Sequence, residues 1–139
     1  MVLPPPAPGL VVHFSYLWRN QFEQGEETGR KVRPCLIIAV GTRDGDLRAF
    51  IVPITHSEPP QGRGVPIPPK VKIHLGLDEQ ASWIIIDDLN VTIWPGFDLH
   101  PIPNRSGSFV YGEVPASLLR QVLTAIKALR PQPKATPRT

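Results

Sequence analysis

Cys35-Leu36-Ile37-Ile38-Ala39-Val40, then Gly41-Thr42-Arg43-Asp44-Gly45-Asp46, then the stretch 47–54, is the part of the chain that decides the fold. Six consecutive apolar residues bounded by turn formers read as a strand buried on both faces or nearly so. The Gly/Asp cluster reads as a turn, and 47–54 as the strand that returns. The pair is a hairpin, so the chain is built around antiparallel sheet.

Working outward, Leu10, Val12, Phe14, Tyr16 and Trp18 alternate with residues that include His13 and Ser15, a strand with one apolar face. Residues 20–32 are polar, contain Gly25 and Gly29, and read as a long loop. Residues 57–69 hold five prolines and two glycines, a second loop of a length that is often functional. Val71, Ile73 and Leu75 alternate with Lys72 and His74, which predicts a half-exposed strand. Residues 83–86 predict another, ending at Asp87-Asp88, while 90–94 either continue as strand or turn, and 109–112 form a short strand. The one helix comes last: Pro115 suits its first turn, and Leu118, Leu119, Val122, Leu123, Ile126 and Leu129 repeat at helical spacing. The expected layout is mainly β, five to seven short antiparallel strands in a small barrel with one C-terminal helix. The domain runs over 9–130, between a proline-rich tail at 1–8 and a basic, proline-containing tail at 131–139.

Composition agrees. Proline accounts for 18 of 139 residues, far above the usual ~5%, which excludes a helical bundle. Hydrophobic residues at 41% and charged residues at 19% allow one packed core. The net charge of +3 resides in Arg130, Lys134 and Arg138, leaving a neutral body. A neutral body still accommodates nucleic acid if a local basic patch exists. One cysteine excludes an internal disulfide and a cysteine-rich zinc site. No apolar run is long enough to span a bilayer, and the prolines at 4, 5, 6 and 8 break any secretory leader. A reducing, cytoplasmic setting is expected, with no membrane association. Trp83, Trp94 and the stripe over 118–129 offer more apolar surface than a small barrel covers, which predicts a homodimer.

Several chemistries lack their residues. His13, His56, His74 and His100 are scattered, and none has a second histidine or cysteine two to four positions away, so no metal is expected. Gly107-Ser108 is not a Gly-x-Ser-x-Gly elbow, and no phosphate-cradling Gly-rich loop is present. Cys35 reads as an inert small hydrophobe. Two features remain. Gly29-Arg30-Lys31-Val32-Arg33-Pro34 places three cations just before the buried strand, and Pro34 holds Arg33 extended. Val52-Pro53-Ile54-Thr55-His56-Ser57 ends the returning strand in hydroxyl and imidazole groups. Taken alone, each reads as a solvated loop or a polar turn. The hairpin brings Arg33 and Thr55 to one end.

The order Arg33-Pro34 with its apolar strand, Val52-Pro53-Ile54-Thr55, Asp88-Leu89-Asn90-Val91-Thr92-Ile93 and Gly112-Glu113-Val114-Pro115 resembles the MazF/PemK toxins over about residues 9–130. The resemblance implies an SH3-like barrel, a homodimer, an antitoxin peptide that blocks the groove, and cofactor-free, metal-independent cleavage of single-stranded RNA. Such chemistry needs no cofactor because RNA carries its own nucleophile, the 2′-hydroxyl; it needs proton transfer and positive charge at the phosphorane. Arg33 matches that charge, Thr55 the family's functional threonine, and His56 is the nearby side chain that titrates close to neutrality. Arg30, Lys31, Ser57 and Asp88 are the expected RNA contacts. Leu89 stands where the family has glutamine, and Ile86 where some members have a catalytic arginine. These departures favour the alternative, a non-catalytic SH3-like binding module or a gyrase-poison-like toxin of the same fold.

Overall fold

Strand β2 (Val32–Arg43) and strand β3 (Asp46–Thr55) form the long central hairpin, and every other strand is hung from it. The structure is a computed structural model that describes residues 4–27, 31–105 and 107–138. The turn is tighter than the Gly/Asp cluster suggests: Arg43 pairs with Asp46, and only Asp44 and Gly45 lie between them. Both have positive φ, 53° and 81°, the geometry whose twist matches a two-residue hairpin and which Asp-Gly adopts readily.

Strand β1 (Leu10–Ser15) pairs antiparallel with β2 and, on its other edge, with β7 (Val110–Glu113). The far edge of β3 is shared. Its first half pairs with β6 (Leu89–Ile93), and its last two residues pair with β5 (Trp83–Ile85), which carries β4 (Gly64–Pro66). The fold is mainly β, as expected, with one eight-stranded, mostly antiparallel sheet. The pairings among the described residues leave that sheet open rather than closed into a barrel.

The central strands are buried on both sides. Val11, Leu36, Ile38, Val52 and Ile54 face a core completed by the helices, while Val12, Phe14, Cys35, Ile37 and Ile51 face a second one. That accounts for the unbroken apolar run at 35–40. Helix α3 (Ala116–Ala128) turns Leu118, Val122 and Ile126 into the first core, each worth ~1.5–3 kcal/mol when fully buried. No helix is long and apolar enough to cross a membrane among the described residues.

Three expectations are corrected. Val71 and Leu75 are not on a strand but on helix α2 (Pro69–Leu75), where i,i+4 spacing buries both and leaves Ile73 79% exposed. Pro69 starts the helix, and Gly76 ends it in the left-handed region at φ 69°. Gly76 N donates to Ile73 O and Leu77 N to Lys72 O, a pairing that closes helices on glycine. Second, the loop expected at 20–32 begins with a short helix, α1 (Arg19–Glu23), which cuts the first strand off at Ser15. Third, the C-terminal segment is no loose tail: β8 (Ala135–Arg138) lies parallel to β6. There Arg138 is buried, its Nη2 2.5 Å from Asp98 Oδ1 and also donating to Ser15 O. The apolar surplus that suggested a dimer is also smaller than the sequence implies, because Trp94 and the α3 stripe are already in the two cores.

Candidate functional site

The β2–β3 register is what assembles the site. Cys35 faces Pro53, so Arg33 and Thr55, each two residues farther along, reach the same end of the hairpin. Both line one cleft of about 1010 Å³ that also collects Lys31, His56 and Ser57. Five of the seven expected site residues therefore share a single surface. Arg30, the sixth, lies outside the described residues.

Arg33 is held but not neutralised. Its guanidinium carbon sits 5.5 Å from the centre of the Trp18 ring, and Trp18 stacks on Tyr16 at 5.3 Å with the planes 2° apart. No carboxylate lies within ion-pair distance of Arg33 among the described residues, and its Nε is buried without an acceptor. Thr55 Oγ1 accepts from Ser57 N at 3.1 Å, which leaves its own proton free to donate.

Asp88, the seventh expected residue, is not on the cleft. It accepts from Tyr16 O–H at 2.5 Å and from Arg19 N at 3.3 Å. It buttresses the ring stack on which Arg33 rests. Burial raises its carboxyl above the usual range, against the opposing pull of those two hydrogen bonds. Burial first, then Asp88, also pushes the Tyr16 phenol well up, so it stays a donor.

His56 is fixed at both ring nitrogens. Nε2 lies 2.8 Å from Asp78 Oδ2, and Nδ1 lies 3.2 Å from Ala81 O and 3.1 Å from Ser82 Oγ. The carboxylate can only accept, so Nε2 carries a proton, while Nδ1 meets both an accepting carbonyl and a hydroxyl able to donate. Behind it, Lys72 is 5% exposed and donates to Asp78 Oδ1, Ser82 Oγ and Gln80 O. Burial works to raise Asp78, but the Lys72 and Gln80 N–H bonds and the charges of Lys72 and His56 outweigh it and lower its carboxyl. The Lys72–Asp78–His56–Ser82 ring anchors α2 and the segment after it to the end of β3.

The same lining carries residues that the sequence does not single out, Arg105 and Tyr111. Arg105 lies over the Tyr111 ring at 5.1 Å, and its Nη2 donates to Leu75 O at 2.9 Å and Gly76 O at 3.1 Å. Tyr111 Oη and His13 Nδ1 are hydrogen-bonded at 2.9 Å. Burial, then the charge of His100, lowers His13, while burial raises the Tyr111 phenol. Arg105 sits among prolines and glycines in sequence and gives no local sign of this role. In the sequence Trp18 is one more apolar position in the alternation that starts at Leu10. Cys35 is buried and its thiol pushed far up by burial, which leaves it inert. Among the described residues, no three His, Cys, Asp or Glu side chains come close enough together to hold a metal ion.

No family model matches the chain, and neither a curated protein nor a solved structure matches it significantly.

Proposed function

We propose that the cleft binds single-stranded RNA and cleaves it without a metal, as a toxin-type endoribonuclease of the MazF/PemK kind. The observation that carries this reading is the uncompensated Arg33 guanidinium, immobilised on Trp18 beside Thr55 in one cleft. A planar fork of donors that no acid occupies fits two oxygens of a phosphate. The RNA 2′-hydroxyl gives its proton to solvent water, its oxygen forms the new P–O bond and the P–O5′ bond breaks, leaving a 2′,3′-cyclic phosphate and, once protonated, a free 5′-hydroxyl. Arg33 neutralises the phosphorane, Thr55 orients the phosphate, and His56 delivers the proton to the departing 5′-oxygen. Lys31 and Ser57 extend the contact along the backbone.

On this reading the open sheet is an unclosed relative of the SH3-like barrel, a likeness supported by the β1–β2–β3 meander and the terminal helix. The resemblance adds a cytoplasmic homodimer and an antitoxin peptide that fills the cleft. The test is a long mixed-sequence RNA incubated in EDTA with fragment ends mapped. Cyclic phosphate ends that are lost in Arg33→Ala support the reading, and RNA left intact refutes it. One observation favours the second reading, a non-catalytic binding module or gyrase-poison-like toxin. Both nitrogens of His56 are already engaged, so proton transfer must break one of those bonds. Intact RNA together with peptide binding in the cleft would select it.

A further inference from the structure

We infer that Arg105, seated on Tyr111, is a second phosphate site in the cleft, taking the backbone of a nucleotide adjacent to the one held at Arg33; the inference rests on the single-stranded RNA reading of the cleft. The same device occurs twice on one lining: a guanidinium laid on an aromatic ring, Arg33 on Trp18 and Arg105 on Tyr111. Four other cations are neutralised, whereas Arg48 and Arg130, both off this lining, have no carboxylate within ion-pair distance among the described residues. Lys72 is paired with Asp78, Arg138 with Asp98, Arg63 with Asp87 and Arg19 with Glu23. Arg105, like Arg33, has no carboxylate within ion-pair distance among the described residues.

Arg105 is nevertheless ordered. Two carbonyls at the end of α2 hold Nη2, and the Tyr111 ring supports the guanidinium plane. That leaves Nη1 and Nε as donors on a group whose rotamers are already fixed, so capturing an anion costs little further side-chain entropy. The lining carries four cations, Lys31, Arg33, Lys72 and Arg105, against the carboxylates of Glu58 and Asp78. Asp78 is engaged by Lys72 and His56. The surplus sits on Lys31, Arg33 and Arg105, and it is relieved when a polyanion enters. The volume, about 1010 Å³, is at the upper end of the ~300–1,000 Å³ typical of ligand pockets. A strand with phosphates at both arginines uses that volume; a lone phosphate does not.

The probe is a short single-stranded RNA with 2′-fluoro in place of every 2′-hydroxyl, which binds but cannot be cut. Its affinity is measured across a salt series for wild type, Arg105→Gln and Arg105→Lys. Each phosphate neutralised on a single strand contributes about 0.7 to the slope of log K against log salt. Arg105→Gln, which keeps an N–H for the α2 carbonyls, is expected to lose about 0.7 of the slope, and Arg105→Lys to keep it. A slope unchanged in a folded Arg105→Gln protein overturns the inference. So does a wild type whose binding shows no salt dependence. A second arm needs no variant: a neutral methylphosphonate is walked along the probe. Two separate positions that each cost affinity and slope support two sites, and one position alone overturns them. Probe binding with two such positions while unmodified RNA stays intact in EDTA leaves this site standing and removes only the cleavage step.

Discussion

Arg33→Ala separates a catalytic arginine from a structural one by the mismatch between two magnitudes. On the stability side, the variant loses a cation–π contact made at 5.5 Å, worth ~0.5–1 kcal/mol where partly exposed. It also removes a buried Nε that has no acceptor, and an unsatisfied buried donor costs ~1–3 kcal/mol. The two changes oppose each other, so the net change in stability stays within about 1 kcal/mol. On the catalytic side, charge aimed at the phosphorane is worth ~3–4 kcal/mol, a loss of a few hundredfold in kcat. The measurements are a urea melt of both proteins and single-turnover cleavage of a labelled RNA in EDTA. Arg33→Lys keeps the charge without the fork and falls between the two. Cleavage by Arg33→Ala within threefold of wild type refutes the reasoning. A large stability loss that tracks the activity loss refutes it as well, since Arg33 would then be holding the cleft together rather than acting on substrate.

Asp98→Ala strands the buried Arg138, whose side chain is 2% exposed; removing one member of such a pair costs ~3–5 kcal/mol, read as a lower urea midpoint. Asp78 has a folded carboxyl below its ordinary value of 3.8, so its stabilising contribution is complete above that pH and is lost as pH falls through the depressed value. The stability gap between wild type and Asp78→Asn should therefore close as pH falls through that range; a gap that widens in acid contradicts the Lys72–Asp78 assignment. Gly76→Ala puts a Cβ 1.9 Å from Arg105 Nη2 at a φ of 69°, so it should cost at least the ~1–2 kcal/mol of left-handed strain and weaken binding of the uncuttable probe through a displaced Arg105.

What was legible in the sequence is what depends on neighbours along the chain. The run at 35–40 and the Asp44-Gly45 turn give β2, β3 and their register, and register alone brings Arg33 to Thr55. Helix α3 follows from the spacing of Leu118, Val122 and Ile126. Over seven residues, however, Val71, Ile73 and Leu75 satisfy period two as well as Val71 and Leu75 satisfy i,i+4. Pro69 before them and Gly76 after them were the better guides. Strand β8 carries no local signal, because its ladder partner and the Asp98 that fixes Arg138 are remote in sequence. Arg105 and Tyr111 meet for the same reason: the pairing of β7 with β1 brings Tyr111 to the cleft, and carbonyls at the end of α2 aim Arg105 at it.

The parallel pairing of β8 with β6 also governs how the protein behaves in company. Strand β6 is flanked on both edges within the chain, Asn90–Ile93 by β3 and Leu89–Thr92 by β8. A polypeptide cut after Arg130 would leave Asp98 without Arg138 and would present Leu89–Ile93 as a bare ladder, with Val91 and Ile93 along it. Unpaired edges of that kind recruit other chains. The last residues thus act as a chaperoning strand, and their removal should be seen as concentration-dependent self-association accompanied by a lower urea midpoint.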